Sequence, residues 1–262
     1  MAKVVPLFSG SKGNSYYIGS SGEGVLIDAG RTCKQLEEKI ALNGININSI
    51  GAIFITHEHV DHCQGVRVFA KRHGIKVCAS AGTLSALEEK GYLSADIETD
   101  VIADEIAVGN MKIVRCDTPH DARESCCYQV HTSDGRRATV ATDLGVMTDG
   151  VRELLKTSDF AVVESNHDVQ MLKNGYYPPM TKARILSDRG HLSNDACAAE
   201  LAEFIRCGNF RIMLGHISEN NNIPELALNT SLNALSGVGM KQGLDFTLAA
   251  VPPESDGTAV FF

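Results

Sequence analysis

Short apolar runs rich in β-branched residues recur along the chain, and each is followed by a polar or glycine-containing turn. Runs of this length predict buried β-strands. The predicted strands cover residues 4–8, 15–18, 24–27, 52–55, 76–79, 128–131, 138–141, 160–163, 211–214 and 246–251, with two more within residues 101–115.

Apolar residues with helical spacing lie between many of these strands. They predict helices at residues 32–43, 64–74, 82–90, 195–207 and 224–236, and a short helix ending at Lys173. The Tyr-Tyr-Pro-Pro sequence at 176–179 is expected to interrupt structure. The mixture of strands and helices indicates an α+β protein. Because the sequence contains no repeat, low-complexity run or internal linker, we predict one domain spanning residues 1–262.

The densest chemistry follows the strand at 52–55, in Thr-His-Glu-His-Val-Asp-His at 56–62. A turn leaving a core strand could aim His57, His59, Asp61 and His62 at one small volume. Imidazole nitrogen and carboxylate oxygen are common ligands of zinc and similar divalent ions. Four donors exceed the needs of one open tetrahedral site, so the pattern favours two ions over a polar turn with incidental histidines.

Other polar residues follow the carboxyl ends of predicted strands. They are Asp28, His120, Asp143, Glu164 and His216. Enzymes built on sheets often place functional loops at strand ends, where the strands act as rigid supports. His120 or His216 alone would indicate a surface turn. The histidine cluster alone supplies too few ligands for two ions, so His120 and His216 become candidates for the missing ones.

The composition narrows the class of protein without naming its function. Of the 262 residues, 44% are hydrophobic and 21% are charged, as expected for a globular protein with a sizeable core. The net charge of −8 disfavours a general nucleic-acid binder, although a local basic groove is compatible with it. Eight cysteines without a Cys-x-x-Cys pair indicate reduced thiols. With neither a membrane-spanning run nor a signal peptide, we expect a cytoplasmic protein without a membrane partner.

His57-x-His59-x-Asp61-His62, preceded by Asp28 and followed by His120, Asp143 and His216, resembles the motif series of the metallo-β-lactamase superfamily. The resemblance implies a metallo-β-lactamase-like αββα four-layer sandwich with two divalent metal ions at one edge. One ion would take His57, His59 and His120. The other would take Asp61, His62 and His216. Asp143 would bridge the two, and Asp28 would support the cluster through hydrogen bonds.

Several further segments resemble the YycJ/WalJ (VicX) subgroup of that superfamily. The segments are residues 8–14, 118–122, 141–145, 164–168, 187–194 and 216–221. The resemblance implies a cytoplasmic nuclease that acts on nucleic acid, with 5′-to-3′ exonuclease action on DNA as the expected activity. The expected cofactors are Zn²⁺ or Mn²⁺, and the mixed ligand set would also accept iron.

The expected reaction is phosphodiester hydrolysis. Two divalent ions about 3.5–4 Å apart can share a water and lower its pKa, and the resulting bridging hydroxide would attack phosphorus. His191 is the candidate proton donor to the leaving oxygen, Glu164 could orient it, and Asp61 could accept a hydrogen bond from the hydroxide. The alternatives are a capping role for His191 and a strand-end salt bridge for Glu164.

Two other functions use the same residues differently. A glyoxalase II-type hydrolase of small esters or thioesters shares the ligand set, and the acidic net charge slightly favours it. His191 and the Glu164 segment favour the phosphodiesterase. A regulatory protein that keeps only the fold is disfavoured by the intact ligand set.

Overall fold

The structure is a computed structural model that describes residues 1–208 and 210–262. Its strands confirm most of the predicted ones. In chain order they are β1 (Lys3–Phe8), β2 (Ser15–Ser20), β3 (Glu23–Ile27), β4 (Ile50–Phe54), β5 (Lys76–Ala79), β6 (Thr99–Val101), β7 (Glu105–Val108), β8 (Met111–Asp117), β9 (Cys126–His131), β10 (Arg137–Ala141), β11 (Phe160–Glu164), β12 (Arg211–Gly215), β13 (Thr247–Ala250) and β14 (Val260–Phe261).

The helices also lie close to their predicted positions, apart from those discussed below. They are α1 (Cys33–Leu42), α2 (Val60–Cys63), α3 (Val66–His73), α4 (Ala81–Glu89), α5 (Asp149–Lys156), α6 (Val169–Asn174), α7 (Pro179–Ile185), α8 (Asn194–Arg206) and α9 (Pro224–Gly237). Side-chain caps begin several of them, since Thr32, Ser80, Thr148, Asp168 and Ser193 each accept a backbone N–H from the first turn.

The strands form two mixed sheets, and the chain divides into two compact units. Unit 1 comprises Met1–Cys116, Ala122–Ala138 and Pro252–Phe262, and unit 2 comprises Asp117–Asp121 and Thr139–Val251. Because the chain enters each unit more than once, neither unit is a continuous stretch of sequence. One domain over residues 1–262 stays a prediction.

Unit 1 contains a sheet in the order β14-β1-β2-β3-β4-β5-β6. β1 to β3 are antiparallel neighbours, whereas β3 to β6 are parallel. Leu26, Ile53 and Val77 on successive strands are fully buried in a core that also takes Leu36 of α1 and Phe69 of α3. The carboxyl ends of β3 and β4 therefore emerge from a packed support.

In unit 2, the strands lie in the order β13-β12-β11-β10, and β11, β12 and β13 run parallel. Residues 160–163 of β11 and Leu214 of β12 are buried, as expected for strands covered on both faces. Parallel neighbours deliver their carboxyl ends to the same edge. Glu164 ends β11 and His216 directly follows β12, so the fold places both at that edge.

Two local predictions are wrong, and some elements were not predicted. The histidine cluster is not wholly a turn, since Val60–Cys63 forms a short helix. Pro179 does not interrupt structure but begins α7, where its missing N–H costs nothing. Strand β14, which pairs with β1 at the edge of the unit 1 sheet, was not predicted. Helix α5, capped by Thr148, was not predicted.

No helix among the described residues is long and apolar enough to cross a membrane.

Candidate metal centre

In unit 1, the buried carboxylate of Asp28 organises the histidine cluster. Asp28 directly follows β3 and has a left-handed backbone, with φ of 63°. Its oxygens accept hydrogen bonds from the Thr56 N–H at 2.8 Å, from the Thr56 hydroxyl and from His62 Nδ1 at 2.8 Å. Burial raises the pKa of Asp28, and the contacts with His62 and Thr56 oppose that rise. Asp28 thus holds the cluster as the resemblance implies.

These bonds also set the tautomers of two histidines. A carboxylate only accepts hydrogen bonds, so His62 carries its proton on Nδ1 and its lone pair on Nε2. The Thr56 hydroxyl donates to Asp28, and its oxygen lies 3.0 Å from His57 Nδ1. His57 therefore donates from Nδ1 and also presents a lone pair on Nε2. Each ring therefore carries a lone pair on Nε2, and that of His62 accepts a hydrogen bond from Asn14 Nδ2 at 3.0 Å.

The spacing of the donor atoms fits a divalent ion. His57 Nε2 lies 3.1 Å from His59 Nδ1. Two nitrogens on one tetrahedral zinc, each bonded at about 2.0–2.1 Å, are separated by about 3.3 Å. Asp61 Oδ2 lies 3.6 Å from His62 Nε2. The four predicted ligands of this loop thus form two pairs of neighbouring donors.

The Gly10–Asn14 loop braces the cluster. Asn14 donates from Nδ2 to the Gly10 carbonyl and lies 3.0 Å from His62 Nε2. The N–H groups of Gly10, Gly13 and Asn14 donate to partners inside unit 1. These three amides are therefore committed to holding the loop.

Gly30 allows the neighbouring loops to interlock. Its N–H donates to the Asn14 carbonyl at 2.9 Å, and the Asn14 N–H donates to the Asp61 carbonyl at 2.7 Å. A Cβ atom on Gly30 would lie 1.7 Å from the Asp61 carbonyl oxygen. Only glycine allows this approach.

In unit 2, the Glu164 carboxylate is the organising group. It is fully buried. Oε1 accepts from His191 Nδ1 at 2.9 Å and from His216 Nδ1 at 2.8 Å. Oε2 accepts the N–H groups of Leu144 and Leu192 at 3.0 and 3.1 Å. Burial alone would raise the pKa of Glu164, but the two histidines lower it to about 2, so this carboxylate stays ionised.

Three predicted ligands lie in unit 2. His120 donates from Nδ1 to the Gly190 carbonyl at 3.0 Å, and its Nε2 lies 3.8 Å from Asp143 Oδ1. His216 donates from Nδ1 to Glu164, and this nitrogen is 3.3 Å from Asp143 Oδ1. Both histidines thus carry their lone pairs on Nε2. Asp143 and His216 have left-handed backbones, with φ of 60° and 50°.

His191 lies beside these groups. Its ring centroid is 5.1 Å from that of His120 and 5.2 Å from that of His216. Donor atoms of Asp143, Glu164, His191 and His216 all lie within 4.8 Å of one another, a group able to hold a metal ion. The His191 side chain is 13% exposed, unlike the buried His216. It is therefore positioned to exchange protons with solvent or substrate.

The structure brings the predicted residues together as two sets. His57, His59, Asp61 and His62 lie together in unit 1, and His120, Asp143, Glu164, His191 and His216 lie together in unit 2. The seven-ligand assignment stays a prediction. Thr56 and Asn14 were not predicted to contact the histidines, because their contribution depends on loops that are distant in sequence.

Comparisons with known proteins show the family of this chain. The model of the β-lactamase superfamily domain matches residues 24–217. The chain is 35% identical over 253 residues to the exodeoxyribonuclease YycJ of Bacillus anthracis, covering 95% of this chain and 94% of that protein. It is 34% identical over 253 residues to the exodeoxyribonuclease WalJ of Streptococcus pneumoniae serotype 2, with the same coverage.

A solved structure shows the same fold. The metallo-β-lactamase fold protein YhfI from Bacillus subtilis is 15% identical, with a TM-score of 0.70, and the match covers 99% of this chain and 98% of that one. The predicted metallo-β-lactamase-like αββα fold class is confirmed.

Proposed function

The chain belongs to the metallo-β-lactamase superfamily, and on that premise we propose that it is a metal-dependent phosphodiesterase that removes nucleotides from DNA in the 5′-to-3′ direction. The observation that carries the hydrolase proposal is the 3.1 Å separation of His57 Nε2 and His59 Nδ1, which suits two ligands of one ion. DNA as substrate is supported by the relatives named exodeoxyribonucleases. Such an enzyme would act in the cytoplasm.

The donor set fits two divalent ions, Zn²⁺ or Mn²⁺. We assign His57, His59 and His120 to one ion, Asp61, His62 and His216 to the other, and Asp143 to both. When bound, the ions lower the pKa of a water and stabilise negative charge on the phosphoryl oxygens. The Nδ1 hydrogen bonds of His57, His62, His120 and His216 leave the lone pair of each ring on Nε2. Asn14 would give up its hydrogen bond to His62 Nε2 when an ion binds there.

The remaining steps use side chains of this protein. Asp61 accepts a hydrogen bond from the attacking water and orients it. Glu164 holds His191 through Nδ1, so that a proton on His191 Nε2 can pass to the leaving oxygen. Because Glu164 Oε1 accepts a hydrogen bond from His191 Nδ1 and another from His216 Nδ1, it fixes the direction in which His191 points.

The test is hydrolysis in metal-defined buffer. Purified protein with Mn²⁺ or Zn²⁺ is incubated with end-labelled single-stranded DNA, double-stranded DNA, RNA and a thioester. We expect shortening of DNA from its 5′ end, and loss of that activity in His59→Ala. His131→Ala is the matched control, since His131 lies in β9 and has no proposed role.

The possible outcomes separate the candidate functions. Hydrolysis of the thioester with no cleavage of nucleic acid would favour the glyoxalase II-type reaction. Turnover of DNA by His59→Ala equal to that of the unmodified protein would overturn the proposed metal-dependent mechanism.

A further inference from the structure

An exposed basic and aromatic surface lies beside the unit 2 residues of the proposed site. Residues 173–189, called here the basic-aromatic segment, run from the end of α6 through α7 to the loop before His191. The segment carries four cationic residues and one carboxylate, Asp188, and one of the cations, Arg184, is paired with Asp121 outside the segment. Cations still remain in excess, in a chain whose net charge is −8. This local reversal of charge indicates an anionic ligand.

Large apolar side chains are exposed on the same segment. Tyr176 is 77% exposed and Met180 is 86% exposed. The Tyr176 ring packs edge-on against Tyr177, with centroids 5.1 Å apart. The Tyr177 hydroxyl in turn accepts a hydrogen bond from Asn220 Nδ2 at 2.9 Å. Tyr177 thus supports the Tyr176 ring, which remains largely open to solvent.

The basic-aromatic segment is firmly attached to the loops that carry the proposed site. Arg189 donates to the His120 carbonyl, at 2.8 Å from Nη2, and Arg184 forms a two-bond ion pair with Asp121. Asn220, which holds Tyr177, lies four residues after His216. The segment therefore borders the loops of His120, His191 and His216.

Two glycines show that the path of the segment is fixed by close packing. A Cβ atom on Gly175 would lie 2.9 Å from the Met171 carbonyl oxygen. A Cβ atom on Gly190, directly after the segment, would lie 2.2 Å from the Ile185 carbonyl oxygen. These approaches require glycine at both ends. An exposed aromatic ring on a rigid support is suited to binding and loses little conformational entropy.

We propose that the basic-aromatic segment binds the single-stranded DNA next to the bond that is cut, with Tyr176 stacking on a base and Lys173 contacting a phosphate. This inference rests on the proposed function, because it places the strand beside the same site. Stacking and phosphate contacts are the two interactions that single strands offer irrespective of sequence. A second copy of the chain would use the apolar side chains but would not account for the excess of cations.

The test is fluorescence anisotropy with a labelled single-stranded oligodeoxynucleotide in the presence of a chelator, so that binding is measured without hydrolysis. Tyr176→Ala is expected to raise the Kd about 5- to 150-fold, the equivalent of about 1–3 kcal/mol for one stacked base. Tyr176→Phe keeps the ring and should bind like the unmodified protein. Leu244→Ala removes a side chain that is 78% exposed outside the segment, and is the matched control.

The salt dependence separates the two contacts. Lys173→Gln should reduce the slope of log K against log salt concentration by about 0.7, the value for one phosphate contact on a single strand. Tyr176→Ala should leave the slope unchanged. Lys241→Gln, which removes an exposed cation elsewhere in unit 2, should leave both slope and Kd unchanged.

Hydrolysis assays then distinguish failure of this inference from failure of the proposed function. With metal added, Tyr176→Ala should lower kcat/KM for the oligodeoxynucleotide but not for bis(p-nitrophenyl) phosphate, which is too small to reach the segment.

If Tyr176→Ala binds DNA as tightly as the unmodified protein, the inference is overturned even where hydrolysis is observed. Dissociation of an oligomer in Tyr176→Ala, with DNA affinity unchanged, would instead assign the surface to a second copy. If the unmodified protein binds DNA but cleaves no phosphodiester, the proposed function fails and the binding surface stands.

Discussion

At the scale of single residues, the decisive feature is that buried carboxylates fix histidine tautomers. Asp28 binds His62 through Nδ1, and Glu164 binds His191 and His216 through Nδ1. In each case Nε2 is the ring nitrogen that is not bonded to the carboxylate, and that of His62 accepts a hydrogen bond from Asn14. Asp28, Asp143 and His216 also adopt left-handed backbones, which cost about 1–3 kcal/mol each and are retained where the surrounding structure holds them in place.

Asp28→Asn is expected to weaken metal binding about 10- to 100-fold while the protein stays folded. Asparagine tolerates the left-handed backbone, but its amide can donate to His62 Nδ1 and so shift the proton to Nε2, where it blocks coordination. The measurement is metal affinity by competition with a chromogenic chelator, with thermal unfolding as the check on folding. Unchanged affinity would show that Asp28 does not set the His62 tautomer.

His191→Ala is expected to lower turnover about 10²- to 10⁴-fold with metal content unchanged, because it removes the proposed proton donor but no proposed ligand. Metal content by mass spectrometry and kcat in metal-defined buffer are the two readouts. Loss of metal together with activity would make His191 a ligand or a structural residue.

At the scale of secondary-structure elements, the residues of the proposed site follow strand ends, and glycine allows the loops that carry them to approach closely. The apolar runs predicted the strands because buried parallel strands are continuously hydrophobic, and Asp28, His57 and His216 followed those runs in the sequence as they follow the strands in the structure. Helix α2 was missed because four residues are too few for a periodic pattern. The close approach of Gly30 to Asp61 could not be predicted, because it depends on three loops meeting.

Gly30→Ala is expected to lower the free energy of unfolding by more than about 2 kcal/mol and to impair metal binding, since the added Cβ would overlap the Asp61 carbonyl oxygen. The matched control is Gly237→Ala at the end of α9, where an added Cβ meets no heavy atom of the described residues within 4 Å. The control should be neutral or slightly stabilising. Chemical denaturation of both variants measures the difference, and equal stabilities would contradict the interlocked arrangement.

At the scale of the whole molecule, charge is distributed unevenly. The net charge of −8 disfavours general nucleic-acid binding, yet the basic-aromatic segment concentrates four cations beside the proposed site. The total charge therefore did not predict the local surface. The exposure of Tyr176 and the anchoring of Arg189 depend on the folded chain and could not be predicted from composition.

Acid stability should depend on His167, which is buried in unit 2 and has no hydrogen-bond partner for either ring nitrogen among the described residues. Burial is the main cause that lowers the pKa of His167 from 6.5 to about 4. The charge of Glu164 opposes this shift, and that of His191 adds to it. Between these two pH values, the unfolded chain therefore binds more protons than the folded chain. The free energy of unfolding should therefore fall by up to ~3 kcal/mol as the pH falls from about 6.5 to about 4.

The measurement is thermal unfolding of the chelated protein across that pH range. His167→Leu should lose less stability on acidification than the unmodified protein. The pKa of Glu164 is lowered from its ordinary value of 4.5 to about 2, so this group changes the stability mainly below pH 4.5. That pH range overlaps little with the range in which His167 titrates. Equal pH dependence of the two proteins would show that His167 does not titrate as a buried group.

The most direct test of the central claim, that this chain is a dinuclear metal hydrolase, is native mass spectrometry of the protein loaded with Zn²⁺ and passed through gel filtration. The account predicts a mass increase of two zinc ions per chain, reduced to one or none in His59→Ala. A chain that retains no zinc, or that retains the same amount in both proteins, would contradict it.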